Sequence, residues 1–142
     1  MLREAAVIQR GEDDFCANPS TLFQDGFCSN PRVYCLVAES DGEIVGALLY
    51  FFVYSTWTSR TGSYIEDLYV LPDYRRKGIA RALMSTAATL ALDAGCRYMQ
   101  WTVLRTNSPA REFYESLGAF AVSEWALMRI SGERLEQLSA KG

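Results

Sequence analysis

Histidine is absent from the 142 residues. That excludes Ser-His-Asp and Cys-His nucleophile chemistry and every histidine-containing zinc site. The four cysteines are Cys16, Cys28, Cys35 and Cys96, and no two of them form a Cys-x-x-Cys pair. Neither a four-thiolate zinc site nor a disulfide scaffold is indicated. Cys35 and Cys96 lie in apolar runs and are expected to be buried, reduced thiols. Long hydrophobic runs are also missing. The longest, residues 44–53, is interrupted by Gly46 and falls far short of the ~20 residues that span a bilayer. Glu4 and Arg10 break any apolar stretch at the start, so no signal peptide is read there. Basic excess is lacking as well. Fourteen Lys and Arg face seventeen Asp and Glu, a net charge of −3, which argues against a general nucleic-acid binder. The expectation is a cytoplasmic protein with no metal, no membrane partner and no nucleic-acid partner.

What is present is ordinary for a globular chain, with hydrophobic residues at 49% and charged residues at 22%. At about 150 residues per domain, and with no repeat or linker, residues 1–142 read as a single domain. Residues 2–8 have modest helical character. Asn18-Pro19 is a cap followed by proline at the first helical position, and Gly26 is a terminator. The short helix between them is expected to carry Leu22 and Phe23 toward a core. Residues 33–39 and 44–53 read as strands joined by Ser40-Asp41-Gly42, a hairpin signal. A turn-rich stretch follows over residues 54–62, and residues 63–70 read as a third strand. Residues 78–94 form a long helix with Ile79, Leu83, Ala87, Leu90 and Ala94 at helical spacing. Gly95 ends it, and residues 98–103 return to strand. A helix over residues 108–117 places Ala110, Phe113, Tyr114 and Leu117 on one face. Short strands at 120–122 and 125–130 and a terminal helix at 133–138 complete the chain. This order implies an α/β fold with a mixed sheet flanked by helices.

Chemistry concentrates in Asp73-Tyr74-Arg75-Arg76-Lys77-Gly78-Ile79-Ala80-Arg81. Arg75, Arg76 and Lys77 stand directly before a helix N-terminus that unpaired N–H groups already make positive. Each cation is unfavourable there by a few tenths of a kcal/mol unless an anion joins them. Gly78 and the small Ala80 let a ligand approach the backbone, which suits a phosphate group. The segment is neither a Walker loop nor a dinucleotide-binding glycine turn.

Arg75-x-x-Gly78-x-Ala80 resembles the Arg/Gln-x-x-Gly-x-Gly/Ala acyl-CoA motif of the GNAT superfamily of N-acetyltransferases. The stretch from Tyr64 through Glu66 and Asp67 to Val70, then Asn107-Ser108-Pro109-Ala110, then Phe113-Tyr114-Glu115-Ser116-Leu117-Gly118-Ala119, follow in the family order. Within the superfamily, Leu36-Val37-Ala38-Glu39, Tyr54-Ser55-Thr56-Trp57 and residues 23–27 resemble diamine (spermidine/spermine) acetyltransferases. Members open with a strand before the first helix, and this chain is expected to lack it, leaving the edge of the 33–39 strand unpaired.

The resemblance implies an acetyl-CoA-dependent N-acetyltransferase acting on a primary amine of a small cationic acceptor, a polyamine, a diamine or a lysine-like amino acid. Attack would be direct within a ternary complex, and the protein would be a homodimer meeting through its late strands. A non-catalytic acyl-CoA-binding module and a peptide or protein N-acetyltransferase are the alternatives. Main-chain N–H groups from Lys77 through Gly78, Ile79 and Ala80 to Arg81 would hold the diphosphate, with Arg75 and Arg76 as charge partners. Pantetheine would lie where two parallel strands splay, against the main chain of Leu68, Tyr69 and Val70, with Asn107, Ala110 and Phe113 along the same arm. Glu66 is the candidate base, on a strand where apolar neighbours are expected to desolvate it partly. Tyr114 is the candidate acid. Asp67, Tyr54, Trp57, Glu124 and Trp125 are the candidate acceptor contacts, the aromatics as faces for a cation.

Overall fold

A computed structural model describes residues 18–140, and the helix expected over residues 2–8, the expectation about a strand before it, and Cys16 fall outside them. The chain divides into two compact units, the first running to Asn107 and the second starting at Ser108.

The first unit opens with α1 (Pro19–Gly26). The Asn18 side chain accepts from the Ser20 N–H at 2.9 Å and from its hydroxyl at 2.7 Å, the N-cap role that this residue type favours. Phe23 does not enter a core as expected. It is exposed and stacks on exposed Phe27, with ring centroids 4.8 Å apart, because the two lie one helical turn apart on the outer side.

β1 (Tyr34–Ser40) and β2 (Glu43–Ser55) pair antiparallel. Asp41 and Gly42 join them with φ of 53° and 82°, the left-handed pair of a two-residue hairpin turn. β3 (Arg60–Val70) pairs antiparallel with β2, starting at Ser55↔Arg60. The turn expected over residues 54–62 is therefore shorter, since Arg60, Thr61 and Gly62 join the ladder despite their polar or small side chains. β4 (Met99–Gln100) lies parallel to β3, and the sheet order is β1-β2-β3-β4. The mixed sheet is as anticipated. β4 is far shorter than residues 98–103, because its pairing stops at Tyr64↔Gln100.

α2 (Ile79–Asp93) covers the sheet. Its buried row is Leu83, Met84, Ala87 and Ala91, not the expected line through Leu90 and Ala94, both of which are exposed. Positions 83, 87 and 91 follow the i+4 ridge, and the small alanines let the helix lie close to the strands. Gly46 in β2 makes the approach possible. A Cβ there would stand 3.2 Å from Ile79 Cγ2 and 3.3 Å from Leu83 Cδ1. Val45 and Leu48 are wholly buried beside it. Cys96 is buried as expected, whereas Cys35 is exposed on the outer strand β1.

In the second unit, α3 (Ser108–Glu115) carries Ala110, Phe113 and Tyr114 half-buried while its other residues are exposed, the face read from the sequence. Gly118, at φ 90°, ends the segment. α4 (Glu133–Ser139) follows. Residues 120–122 and 125–130 are not strands. Their apolar residues find no partner strand in the described ladders, and a strand pattern without a ladder leaves its backbone groups unsatisfied. The expected dimer contact through late strands therefore has no strand to use among the described residues.

Three tests follow from this packing. A Cβ at Gly62 would fall within the Tyr98 ring, so Gly62→Ala should lower stability by about 1–3 kcal/mol, read from urea unfolding. Burial pushes the Cys96 thiol up from its ordinary value, and burial followed by Tyr34 and Cys96 does the same to Tyr50. Groups held neutral in the fold keep their stabilising effect below their unfolded values and lose it as pH rises through the folded ones. Unfolding free energy should therefore decline above about pH 9. A maleimide should label Cys28 and Cys35 in the native protein and Cys96 only once it unfolds.

Candidate active site

The two edges of β3 are used differently. Near its start, the Ser63 N–H donates to the Tyr98 carbonyl and the Thr61 carbonyl accepts from the Arg97 N–H, both at 3.0 Å. Odd-numbered residues there turn their backbone groups toward β4. Against β2, Leu49 pairs with Asp67 and Tyr50 with Ile65, so Glu66 is the extra residue of a β-bulge. The bulge inverts the alternation. At the far end the Leu71 N–H donates to the Val45 carbonyl at 2.9 Å on the β2 side, which turns Leu68 and Val70 to the opposite side. No described strand lies beside them there, because the β4 pairing has already ended.

The chain then makes a short 3-10 turn at Pro72–Tyr74. Arg76 and Gly78 adopt left-handed φ of 61° and 84°, and α2 begins immediately afterwards. Left-handed residues on either side of Lys77 make the kind of turn in which successive main-chain N–H groups can form an anion nest. Gly78 offers no capping side chain, and the Ala82 N–H is the one that bonds back to the Gly78 carbonyl, at 3.0 Å. The first-turn N–H groups have no acceptor within the helix. Arg76 and Lys77 are exposed beside them, and Lys77 Nζ stands 4.9 Å over the Tyr74 ring. The donor set fits an anionic diphosphate.

Arg75 behaves otherwise. Its Nε–H donates to the Val70 carbonyl at 2.9 Å, and its guanidinium lies 5.4 Å over the ring of buried Tyr69. Sequence reasoning missed this inward attachment, and nothing in the local pattern marks which of three adjacent cations turns back. The bulge left no clear signal either, since apolar residues occupy both parities of the strand at Tyr64, Ile65, Leu68, Tyr69 and Val70.

The structure thus brings together Glu66, Asp67, Leu68, Val70 and the turn from Arg75 to Arg81. Glu66 is exposed, because a bulge residue is turned away from the packed faces, so the expected partial desolvation is not found. Asp67 is half-buried. Tyr54 and Trp57 are elsewhere. Tyr54 pairs with Thr61, seven residues before Leu68, which is about 23 Å at ~3.3 Å per residue. Trp57 is farther still, at the hairpin tip, and 95% exposed. Asn107, half-buried, closes the first unit with its N–H on the Leu104 carbonyl at 2.9 Å. In the second unit, Ala110, Phe113 and Tyr114 share the half-buried face of α3, the two rings 5.3 Å apart. Glu124 and Trp125 are exposed in irregular chain. No group of three or more potential metal ligands occurs among the described residues. No helix among them is long and apolar enough to cross a membrane.

The chain is 40% identical to the thialysine N-epsilon-acetyltransferase of Sus scrofa, over 99% of this chain and 89% of that protein. It is 30% identical to the spermidine/spermine N(1)-acetyltransferase-like protein 1 of Homo sapiens, over 95% of this chain and 21% of that one. The solved ribosomal-protein-alanine N-acetyltransferase of Brucella melitensis superposes with a TM-score of 0.70 at 26% identity, over 91% of this chain and 88% of that one. Residues 3–119 match the model of the Acetyltransferase (GNAT) family, and with an uncapped, cation-flanked helix start beside an open strand edge, the chain belongs to that family of N-acetyltransferases.

Proposed function

We propose that this N-acetyltransferase transfers acetyl from acetyl-CoA to a primary amine of a small cationic acceptor, a polyamine, a diamine or a lysine-like amino acid. The observation that carries the reading is the nest at residues 76–80, which gathers positive groups where a helix already concentrates positive potential. A likeness to a thialysine N-epsilon-acetyltransferase over nearly the whole chain supports a lysine-like acceptor. The net charge of −3 suits a cationic one. The same reading takes residues 1–142 as one catalytic domain working in the cytoplasm as a homodimer, without nucleic-acid or membrane partners. The exposed side chains of Leu127, Met128 and Ile130 offer apolar area for the subunit contact.

Acetyl-CoA supplies an acetyl thioester and an anionic diphosphate. The chain's own groups divide the remaining work. Main-chain N–H groups from Lys77 to Arg81, with the Arg76 charge, bind the diphosphate. The Leu68 main chain orients the cofactor arm, and its N–H holds the negative charge that grows on the carbonyl oxygen during attack. Asn107, Ala110 and Phe113 complete the arm's surroundings.

An aliphatic ammonium has a pKa of about 10.4 and must lose a proton before its nitrogen can attack. Glu66, directly or through water, takes that proton, and Asp67 attracts the ammonium. Tyr114 returns a proton to the departing thiolate. Attack is direct in this reading, since the sequence pairs no cysteine with a histidine base to form an acyl-enzyme. Glu124 and Trp125 are acceptor contacts in this reading. Tyr54 and Trp57 would serve an acceptor only from a hairpin tip remote from Leu68.

The deciding experiment measures thiol release from acetyl-CoA across polyamines, diamines, lysine analogues and peptides. Turnover with the small amines is expected. Saturable acetyl-CoA binding without turnover would instead make the protein a binding module, and a preference for peptides would move it to another acceptor class. Glu66→Gln and Tyr114→Phe should each lower kcat by about 100-fold or more while leaving the KM for acetyl-CoA within about twofold. Arg76→Gly separates strain from charge. It removes a left-handed non-glycine residue, so stability should rise by about 0.5–1 kcal/mol. It also removes a phosphate partner, so the KM for acetyl-CoA should rise about tenfold. Differential scanning calorimetry and initial-rate kinetics read the two effects.

A further inference from the structure

All three adjacent cations before α2 are exposed; Lys77 stands over Tyr74 within the turn, and Arg75 alone bonds back to the sheet, at the Val70 carbonyl. We infer that Arg75 is a positioning residue rather than a phosphate partner. It holds the nest in register with the open backbone edge at Leu68. The inference rests on the proposed use of that nest and edge by acetyl-CoA, and it names what sets the distance between them.

The argument runs through three contacts. The Arg75 N–H donates to the Pro72 carbonyl at 3.2 Å, which fixes its backbone at the end of the 3-10 turn. Its side-chain Nε–H donates to the Val70 carbonyl at 2.9 Å in a partly buried setting. Its guanidinium plane lies over Tyr69, a ring only 7% exposed. Val70 is the last residue of β3 and belongs to the set that faces the open side. The side chain therefore spans from the end of the strand to the turn that builds the nest. Both residues are exposed, but a guanidinium whose Nε is committed to a carbonyl and whose Cζ lies over a ring has less freedom to follow a phosphate than the side chain of Arg76. Without this strut, the turn would be tied to β3 by the chain alone, the Leu71 N–H on the Val45 carbonyl anchoring its start to β2.

Side-chain chemistry gives a clean separation of roles. Glutamine places Nε2 as many bonds from Cα as arginine places Nε, so it can donate to the Val70 carbonyl with no charge. Lysine keeps the charge but has a methylene where Nε stood and no planar group to lie on Tyr69. A positioning role predicts that Arg75→Gln retains function and Arg75→Lys does not. A charge role predicts the reverse.

The test compares both variants with the unaltered protein in two ways. Amide hydrogen exchange at Leu71, Tyr74 and Ala82, whose N–H groups are bonded at 2.9, 2.9 and 3.0 Å, needs no acetyl-CoA. Arg75→Lys should speed exchange at these amides about fivefold or more, and Arg75→Gln should stay within about twofold. In kinetics, Arg75→Lys should raise the KM for acetyl-CoA about tenfold and also lower kcat at saturation, because the carbonyl no longer meets the Leu68 N–H squarely. Arg75→Gln should hold both constants within about threefold. Any pattern in which glutamine fails to outperform lysine overturns the inference. If the unaltered protein shows no saturable dependence on acetyl-CoA, the reading of the nest falls, and hydrogen exchange still decides what Arg75 does.

Discussion

Between Ile65 and Val70, the side of β3 away from β2 carries main-chain donors and acceptors that no described strand satisfies, because β4 keeps company with β3 only at Ser63 and Tyr64. Backbone groups left unpaired and shielded from water cost about as much as a lost hydrogen bond each. Such an edge stays open to solvent, is covered, or is completed by a ligand whose own amides can join it. The bulge at Glu66 decides which groups are on offer. Without the extra residue, the parity set at Ser63 would carry on, and Leu68 and Val70 would turn their N–H and carbonyl groups into the pairing with β2.

The second feature is electrostatic. The start of α2 carries roughly half a positive charge from its unpaired N–H groups, and Arg76 and Lys77 stand beside it. Repulsion between such groups is modest in water, a few tenths of a kcal/mol per pair, so the fold tolerates the cluster. A diphosphate arriving there meets charge-assisted donors from backbone and side chains together, each contact worth about 1.5–3 kcal/mol. The imbalance between a small standing cost and a large gain on binding is what makes the turn a binding site. Two left-handed residues in the turn add strain at Arg76 and none at Gly78. A site that needs the concavity accounts for an arginine held at a φ of 61°.

Local chemistry made much of this legible. Asn18-Pro19 forms its cap, Asp41-Gly42 its hairpin turn and Gly95 its helix stop, because each depends on residues next to one another. The cation-rich segment and the glycine after it were legible for the same reason. What sequence periodicity could not supply was anything fixed across the sheet. Strand β3 begins at Arg60 because β2 continues opposite it, not because Arg60 favours a strand. Ala91 rather than Leu90 joins the core because the buried row follows the i+4 ridge through Leu83 and Ala87, which packing on the sheet selects and sequence spacing does not. Cys35 looked buried from its apolar neighbours but lies on an outer strand. Residues 125–130 had the pattern of a strand and no ladder to join. Trp57 and Tyr54 read as aromatic faces for a cationic acceptor, and a long antiparallel ribbon carries its tip away from its base.

The position of the nest is set largely by residues that meet no ligand. Gly46 admits Ile79 and Leu83 to within ordinary contact of β2, so the first turn of α2 is placed by the core of the sheet. The Leu71 N–H on the Val45 carbonyl fixes where β3 releases the chain. Between those two points the turn has seven residues, 72–78, to cover a short gap, and this slack would let the nest drift relative to Leu68. Arg75 removes the slack, since its bond to Val70 and its stacking on Tyr69 draw the middle of the turn onto the strand end. Acyl transfer is sensitive to displacements on the order of 1 Å between reacting atoms. A diphosphate held at one end of the cofactor can align a thioester at the other only if the protein between the two anchor points is stiff. On that ground the core glycine and the inward arginine belong to the functional architecture as much as the amides they place.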